Sequence, residues 1–311
     1  MAALCCIVLP YVFIKVEGRM VECFSPSVLL PLIAALTAAA GGGVVCRYGS
    51  ISPELQVPVI IVSYLFIGLG LPFSLVIDAA VFIKLCEQGF PRQQNIYQFM
   101  ILCGPLGQGS FALQILGNCV QRGAFAKYDN SSLVNAAAAK TISTASEWLG
   151  LITWGYGTFW WGFACITIIH YLLNTQRAVL RWDKSLSTWS MVFPWGVYTN
   201  GAVQLGMTLN SRAFWVWQTV LLLFLICIWL ANVAATFIGV VNGNVFGLDR
   251  GWGGKYYSNS AEKEKESHSQ NRNHRTCRSE SNGGDHGSHD KVNEERDNIR
   301  GSSATLRQPE L

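Results

Sequence analysis

Half of the 311 residues are hydrophobic and only 14% are charged, against about 25% charged in an ordinary soluble domain. The formal charge of +4 is too mild and too dispersed to argue for nucleic-acid binding. Ten basic and ten acidic residues lie between Lys255 and Leu311, and the remaining thirteen basic and nine acidic residues fall mostly between long apolar runs. That patterning excludes a soluble globular domain.

A spanning helix needs about 20 mainly apolar residues, and helices are the only open-ended way to satisfy the backbone in lipid. The chain therefore reads as all-α, a polytopic transmembrane helical bundle with spans near 2–15, 27–46, 57–83, 97–118, 148–173, 189–208 and 214–241. The first span is short. It lacks a basic leader and a cleavage pattern, so it reads as a marginal or incomplete span rather than a signal peptide. Span two carries Pro31, Thr37 and the run Gly41-Gly42-Gly43. Span three holds Asp78, one to two turns before Lys84, and this carboxyl is expected near the inner interface, partly hydrated. Span four reads Gly104-Pro105-Leu106-Gly107-Gln108-Gly109-Ser110-Phe111, with Gln114 and Gly117 beyond.

The connection 119–147 is expected to be a long external loop. It contains the sequon Asn130-Ser131-Ser132, whose glycosylation requires a lumenal or external face. Span five ends near His170, which is expected at the inner interface with a structural role. Span six reads Phe193-Pro194-Trp195-Gly196-Val197-Tyr198-Thr199-Asn200-Gly201, then Gln204 and Gly206. The seventh span is the clearest, with no charge between Phe214 and Val241. Residues 1–248 thus form one transmembrane domain. Residues 249–311 form a tail that buries too little apolar surface to offset its ordering entropy, and it is predicted disordered.

Basic residues orient the array. With the tail inside, the inner connections hold Lys15, Arg19, Lys84, Arg92, Arg177, Arg181, Lys184, Arg250 and Lys255, against Arg47, Arg122, Lys127, Lys140 and Arg212 outside. This bias agrees with the sequon, placing the N-terminus outside and the C-terminus in the cytoplasm. The ten cysteines include no CxxC pair, and Cys46, Cys103, Cys165 and Cys227 lie in or at the ends of apolar runs. They read as small apolar side chains rather than a metal or disulfide framework. Four of the five histidines fall in the tail without regular spacing, which gives no metal site. No Ser/His/Asp set can be assembled inside the spans, so the chain reads as no enzyme, with no cofactor and no metal.

The informative feature is the alternation of spans. Two, four and six lack Asp, Glu, Lys, Arg and His yet are rich in Gly, Pro and neutral polar residues. Proline bends a helix, and irregular backbone at membrane depth is tolerated where it is buried or lines a watery cavity. Three such helices suggest an inner layer around a path, with an outer layer facing lipid; tight helix packing is the alternative reading of the same residues. A Gly follows the Pro by twelve residues at 31/43, 105/117 and 194/206, although Pro58 and Gly70 in span three match as well. The lack of inner acidic residues favours an anion path over a cation path, served by backbone amides and helix N-termini.

These stretches, together with Ser146-Glu147-Trp148-Leu149-Gly150 and Trp154-Gly155-Tyr156-Gly157-Thr158-Phe159-Trp160-Trp161, resemble the fungal sulfite efflux pumps. Those belong to the tellurite-resistance/dicarboxylate transporter family, with the yeast malic acid transporters and plant slow anion channels. The resemblance runs through essentially all of residues 1–248. It implies ten transmembrane helices in five hairpins around a central pore, both termini cytoplasmic, alternate helices forming the inner ring, and a phenylalanine beside a proline plugging the pore. The matching pair here is Phe193-Pro194. Seven spans rather than ten make the array look N-terminally truncated.

The resemblance further implies sulfite export across the plasma membrane, with Phe193 as gate. Pore-lining candidates are Gly104, Pro105, Gly107, Gln108, Pro194, Gly196, Thr199, Asn200 and Gln204. The partners are then a small anion, sulfite or alternatively malate, and the lipid bilayer, with homo-oligomerisation left open. Two rivals stand beside sulfite: a dicarboxylate carrier of the same fold, and a truncated, nonconducting membrane protein.

Overall fold

In the computed structural model, residues 1–16, 25–90, 93–126, 131–174 and 186–241 are described. The sequon residue Asn130 and the tail assigned to 249–311 lie outside them. Seven α-helices are present among the described residues, numbered α1 (Ala2–Val16), α2 (Leu30–Tyr48), α3 (Pro53–Gln88), α4 (Cys103–Cys119), α5 (Ala136–Asn174), α6 (Val192–Leu209) and α7 (Arg212–Val241). Each falls on one of the seven expected spans, and the chain is an all-α membrane bundle. The segments Pro26–Tyr48, Pro53–Gln88, Ile96–Ala124 and Arg212–Val241 are each long and apolar enough to cross a bilayer.

Two boundaries depart from the sequence reading. The connection expected as a loop over 119–147 is largely helical. A short π-helical turn at Val120–Ala124 ends α4, with Gly123 at φ 96°, and α5 starts at Ala136. Ala136 to Ala139 is a run of four alanines, the strongest helix former. Asn135 caps it, its side-chain oxygen accepting from the Ala138 N–H at 2.7 Å. The second departure concerns proline. Pro31, Pro105 and Pro194 do not bend their helices mid-membrane; each lies within the first turn of α2, α4 or α6, where no intrahelical bond is lost. Each of these helices is entered from a 3-10 stretch, Pro26–Leu29, Gln93–Leu102 or Leu186–Met191. The irregular backbone therefore precedes the proline. The interior prolines are Pro10 in α1 and Pro58 and Pro72 in α3.

Close approaches at glycine fix the register. Gly104 lies beside Ile33 and Pro194, and Gly107 against the Tyr198 backbone, so α2, α4 and α6 run parallel. Gly117 meets Ser143 and Ser146, Gly150 meets Gln114, and Gly157 meets Leu106, so α5 runs antiparallel to α4. On α3, Tyr64 hydrogen-bonds Ser146 at 2.6 Å and the Phe82 ring contacts Trp160 of α5, which makes α3 parallel to α5. Helix α7 packs antiparallel on α6, with Gly206 near Phe214 and Gly196 near Leu225. The even helices run one way and α3, α5 and α7 the other, as alternating spans require.

Candidate functional site

Helix α4 is the centre of the bundle. Every residue from Cys103 to Cys119 is buried except Phe111 and Asn118, which are half-buried. Small residues let neighbouring backbones approach closely without a hydrophobic driving force between helices. A Cβ on Gly107 would stand 2.7 Å from the Tyr198 nitrogen and 2.8 Å from its Cα. Polar groups close the α4–α5 seam: Ser110 Oγ donates to the Gly150 carbonyl at 2.7 Å, and Gln114 Nε2 donates to Ser110 Oγ at 2.9 Å.

Helix α6 is anchored by one aromatic insertion. The Tyr198 ring stacks on Trp154 at 4.8 Å and 8° and on Trp161 at 5.5 Å and 11°. The two tryptophans are seven residues apart on α5, on one helix face. Trp154 Nε1 donates to the Tyr198 carbonyl at 3.1 Å, and the Tyr198 hydroxyl pairs with Thr158 at 2.8 Å. This cluster turns one face of α6 inward and leaves the opposite face open.

The sequence candidates divide along that line. Phe193, Gly196 and Asn200, at i, i+3 and i+7, share the open face of α6. They border an open cavity of about 420 Å³ whose other wall is Leu225, Ile226 and Trp229 of α7. Phe193 is 46% exposed, so its ring is only partly packed. Gly104, Pro105, Gly107, Gln108, Pro194, Thr199 and Gln204 are buried. Of these, Gly104 and Pro194 touch across the α4–α6 seam, Gly107 abuts Tyr198, and Thr199 donates to the Trp195 carbonyl at 2.8 Å. Helix α2 has an open stripe too, with Ala34, Thr37, Ala38 and Gly41 exposed.

Two features depart from the sequence reading, one residue not singled out there and one placed differently. Arg47, at the C-terminal end of α2, donates to the Asn118 side-chain oxygen at the corresponding end of α4. With α2 and α4 parallel, their matching end positions bring the two side chains together; the parallel pairing was the missing information. Asp78 was placed at a partly hydrated interface, yet it is fully buried and neither carboxylate oxygen has a hydrogen-bond partner among the described residues.

Among known proteins, the family model described as SLAC1, voltage-dependent anion channel, matches residues 1–237. The chain is 28% identical over 232 residues to the sulfite efflux pump SSU1 of Arthroderma benhamiae (strain ATCC MYA-4681 / CBS 112371) and, over the same length, to that of Trichophyton rubrum. It is equally similar over 231 residues to SSU1 of Arthroderma otae (strain ATCC MYA-4605 / CBS 113480). Each alignment covers 74% of this chain and 58% of the relative, so the chain spans less than two thirds of the length of these relatives. No solved structure matches.

Proposed function

The chain belongs to the voltage-dependent anion channel family, and from that premise we propose that it exports sulfite across the plasma membrane, with its C-terminus in the cytoplasm, through a path gated by Phe193. The family makes it a multi-pass membrane protein of anion transport. Sulfite is taken from the relatives named as sulfite efflux pumps. The gate rests on one observation: Phe193, directly before Pro194, is a large ring left half-exposed beside a cavity on a helix whose other face is locked down.

The chemistry of the wall fits an anion. Helices α2, α4 and α6 contribute no carboxylate, and Arg47 is their one basic side chain. Thr37 and Asn200 offer neutral hydrogen-bond donors on the open faces of α2 and α6. Such donors hold an anion loosely enough for it to leave.

The test is sulfite efflux and sulfite tolerance in cells lacking their own exporter, with surface protein quantified in parallel. Expression should protect most at acidic pH, where uncharged SO₂ enters, ionises and is trapped as anion. Malate flux without sulfite protection would move the assignment to dicarboxylate transport. Absence of both at normal surface level would leave a nonconducting protein.

A further inference from the structure

Asp78 is the one acidic side chain buried in the interior among the described residues, and it is 0% exposed. Among the described residues neither of its oxygens meets a hydrogen-bond donor, and no charged partner offsets it. It lies 25 positions into α3, about 37 Å along the axis at 1.5 Å per residue. One turn later Phe82 packs edge-on to Trp160 of α5 at 6.2 Å. The titratable neighbours on the packed helices are the Cys103 thiol of α4 and the Tyr156 hydroxyl of α5, with Cys165 of α5 close to Cys103. Cys6 of α1 donates instead to the Pro31 carbonyl. Helix α2 carries no charged side chain before Arg47 at its far end. Lys84 of α3 and Tyr97 of the 3-10 stretch before α4 are each engaged in interactions, Tyr97 with the Tyr171 ring at 6.5 Å among them.

An unpaired carboxylate away from water is costly, and an ionisable group inside a membrane bundle marks function unless a partner neutralises it. A hard metal ion would need several oxygen ligands; here a thiol, a phenol and an indole stand nearby, and no cluster of ligating side chains forms among the described residues. What completes this site chemically is a proton.

We propose that Asp78 is a proton-binding site in the α3–α4–α5 seam and that its bound proton holds the anion path in its conducting arrangement. The proposal rests on the anion-transport reading given above. The connection runs through contacts. Cys103, within electrostatic range of Asp78, donates to the Met100 carbonyl at 3.1 Å and reaches the Pro194 carbonyl at 3.9 Å. A Cβ on Gly104 would stand 3.6 Å from Pro194, so the two helices pass closely there, and Phe193 is the preceding residue. Loss of the proton places a bare charge within electrostatic range of the first turn of α4. Either water enters or that turn moves, and both disturb the contact that positions Phe193.

The experiment uses the full chain in liposomes, comparing wild type with Asp78→Asn, whose neutral amide imitates the protonated acid. Sulfite flux is taken as the variant-to-wild-type ratio at each pH, which cancels the speciation of sulfite itself. The ratio should be near one at acidic pH and rise severalfold at alkaline pH, where only the wild type loses a proton. Infrared difference spectra supply a second readout that needs no transport. The wild type should show a protonated-acid carbonyl band that Asp78→Asn lacks and that Asp78→Glu, which retains the acid, shifts. A flat ratio, or the absence of that band, overturns the proposal. A wild type without sulfite flux defeats the transport reading and, with it, the gating half of the proposal, while the infrared band still decides the proton site.

Discussion

Helices α4 and α7 carry no charged side chain between Cys103 and Cys119 or between Ala213 and Val241, yet they occupy opposite environments. In their spanning windows α4 is 94% buried and α7 only 11%. The more apolar of the two is the exposed one, with mean hydropathy 2.5 for α7 against 1.4 for the segment containing α4. In water that order would be reversed. In lipid, greasy side chains gain nothing by leaving the surface, and the interior goes to residues that pack closely or hydrogen-bond across helices. Helix α4 meets this with Gly107, Gly109 and Gly117 at helix contacts and Ser110 and Gln114 in a bonded chain. Helix α7 buries only Leu221, Asn232 and Gly239.

The sharpest way to break this contrast is to remove what fixes α6 to the interior. Trp154→Ala deletes two contacts to Tyr198, the stacked ring and the indole N–H bond. By analogy with soluble cores this should cost about 3–5 kcal/mol, read as lost protein in the membrane fraction and a lower unfolding midpoint in detergent. A midpoint like that of wild type would mean that Tyr198 is held otherwise.

A smaller effect is expected from a single methyl group. Gly107→Ala would force a Cβ to within 2.7 Å of the Tyr198 backbone nitrogen, and overpacking of this kind costs about 1–3 kcal/mol. Gly41→Ala on the open face of α2 meets nothing within 4 Å and should be neutral to slightly stabilising, alanine being the better helix former. Equal midpoints for the two variants would remove the distinction between packing and open glycines. Smaller again is Arg47→Gln. It replaces a charged donor to Asn118 at a partly exposed end of the bundle, and the lost bond should cost about 1 kcal/mol. If that end is also the entrance, anion flux should fall below wild type at low salt, and the difference should close as rising salt screens the wild-type charge.

The contrast also shows which parts of the molecule were legible in advance. All seven helices could be located because the need for about 20 apolar residues is local. The interior place of α4 was legible because glycine and neutral polar residues collect in it, as they do in α2 and α6. The start of α5 was misread because its polar, alanine-rich first turns leave no hydropathy signal, although Asn135 and four alanines carry a helix-start signal. The prolines were read as kinks because composition shows a proline but not whether it stands in the first turn. Asp78 was read as hydrated because its sequence neighbourhood includes Lys84, while its spatial neighbours come from α4 and α5. The glycines could not be divided between packing and open faces for the same reason: that depends on which helix lies opposite.

The last prediction has the smallest expected effect on stability and bears on the gate. Phe193 and Leu223 are both half-exposed, at 46% and 58%. Truncating either to Ala removes surface that is only partly packed, so both variants should stay within about 0.5 kcal/mol of wild type, as substitutions away from the core do. Their surroundings differ. Leu223 belongs to the exposed apolar surface of α7, where shortening a side chain alters nothing that an anion meets. Phe193 borders the cavity between α6 and α7, on the helix with the open face, next to the proline in the first turn of that helix. As a gate, its removal opens the constriction and leaves the wall standing, so Phe193→Ala should raise anion flux per surface molecule while Leu223→Ala leaves it unchanged. As a packing residue, Phe193 would behave like Leu223 in flux, or lose protein and flux together. Flux normalised to surface protein separates these cases, and an unchanged or reduced value at normal surface level would refute the gate.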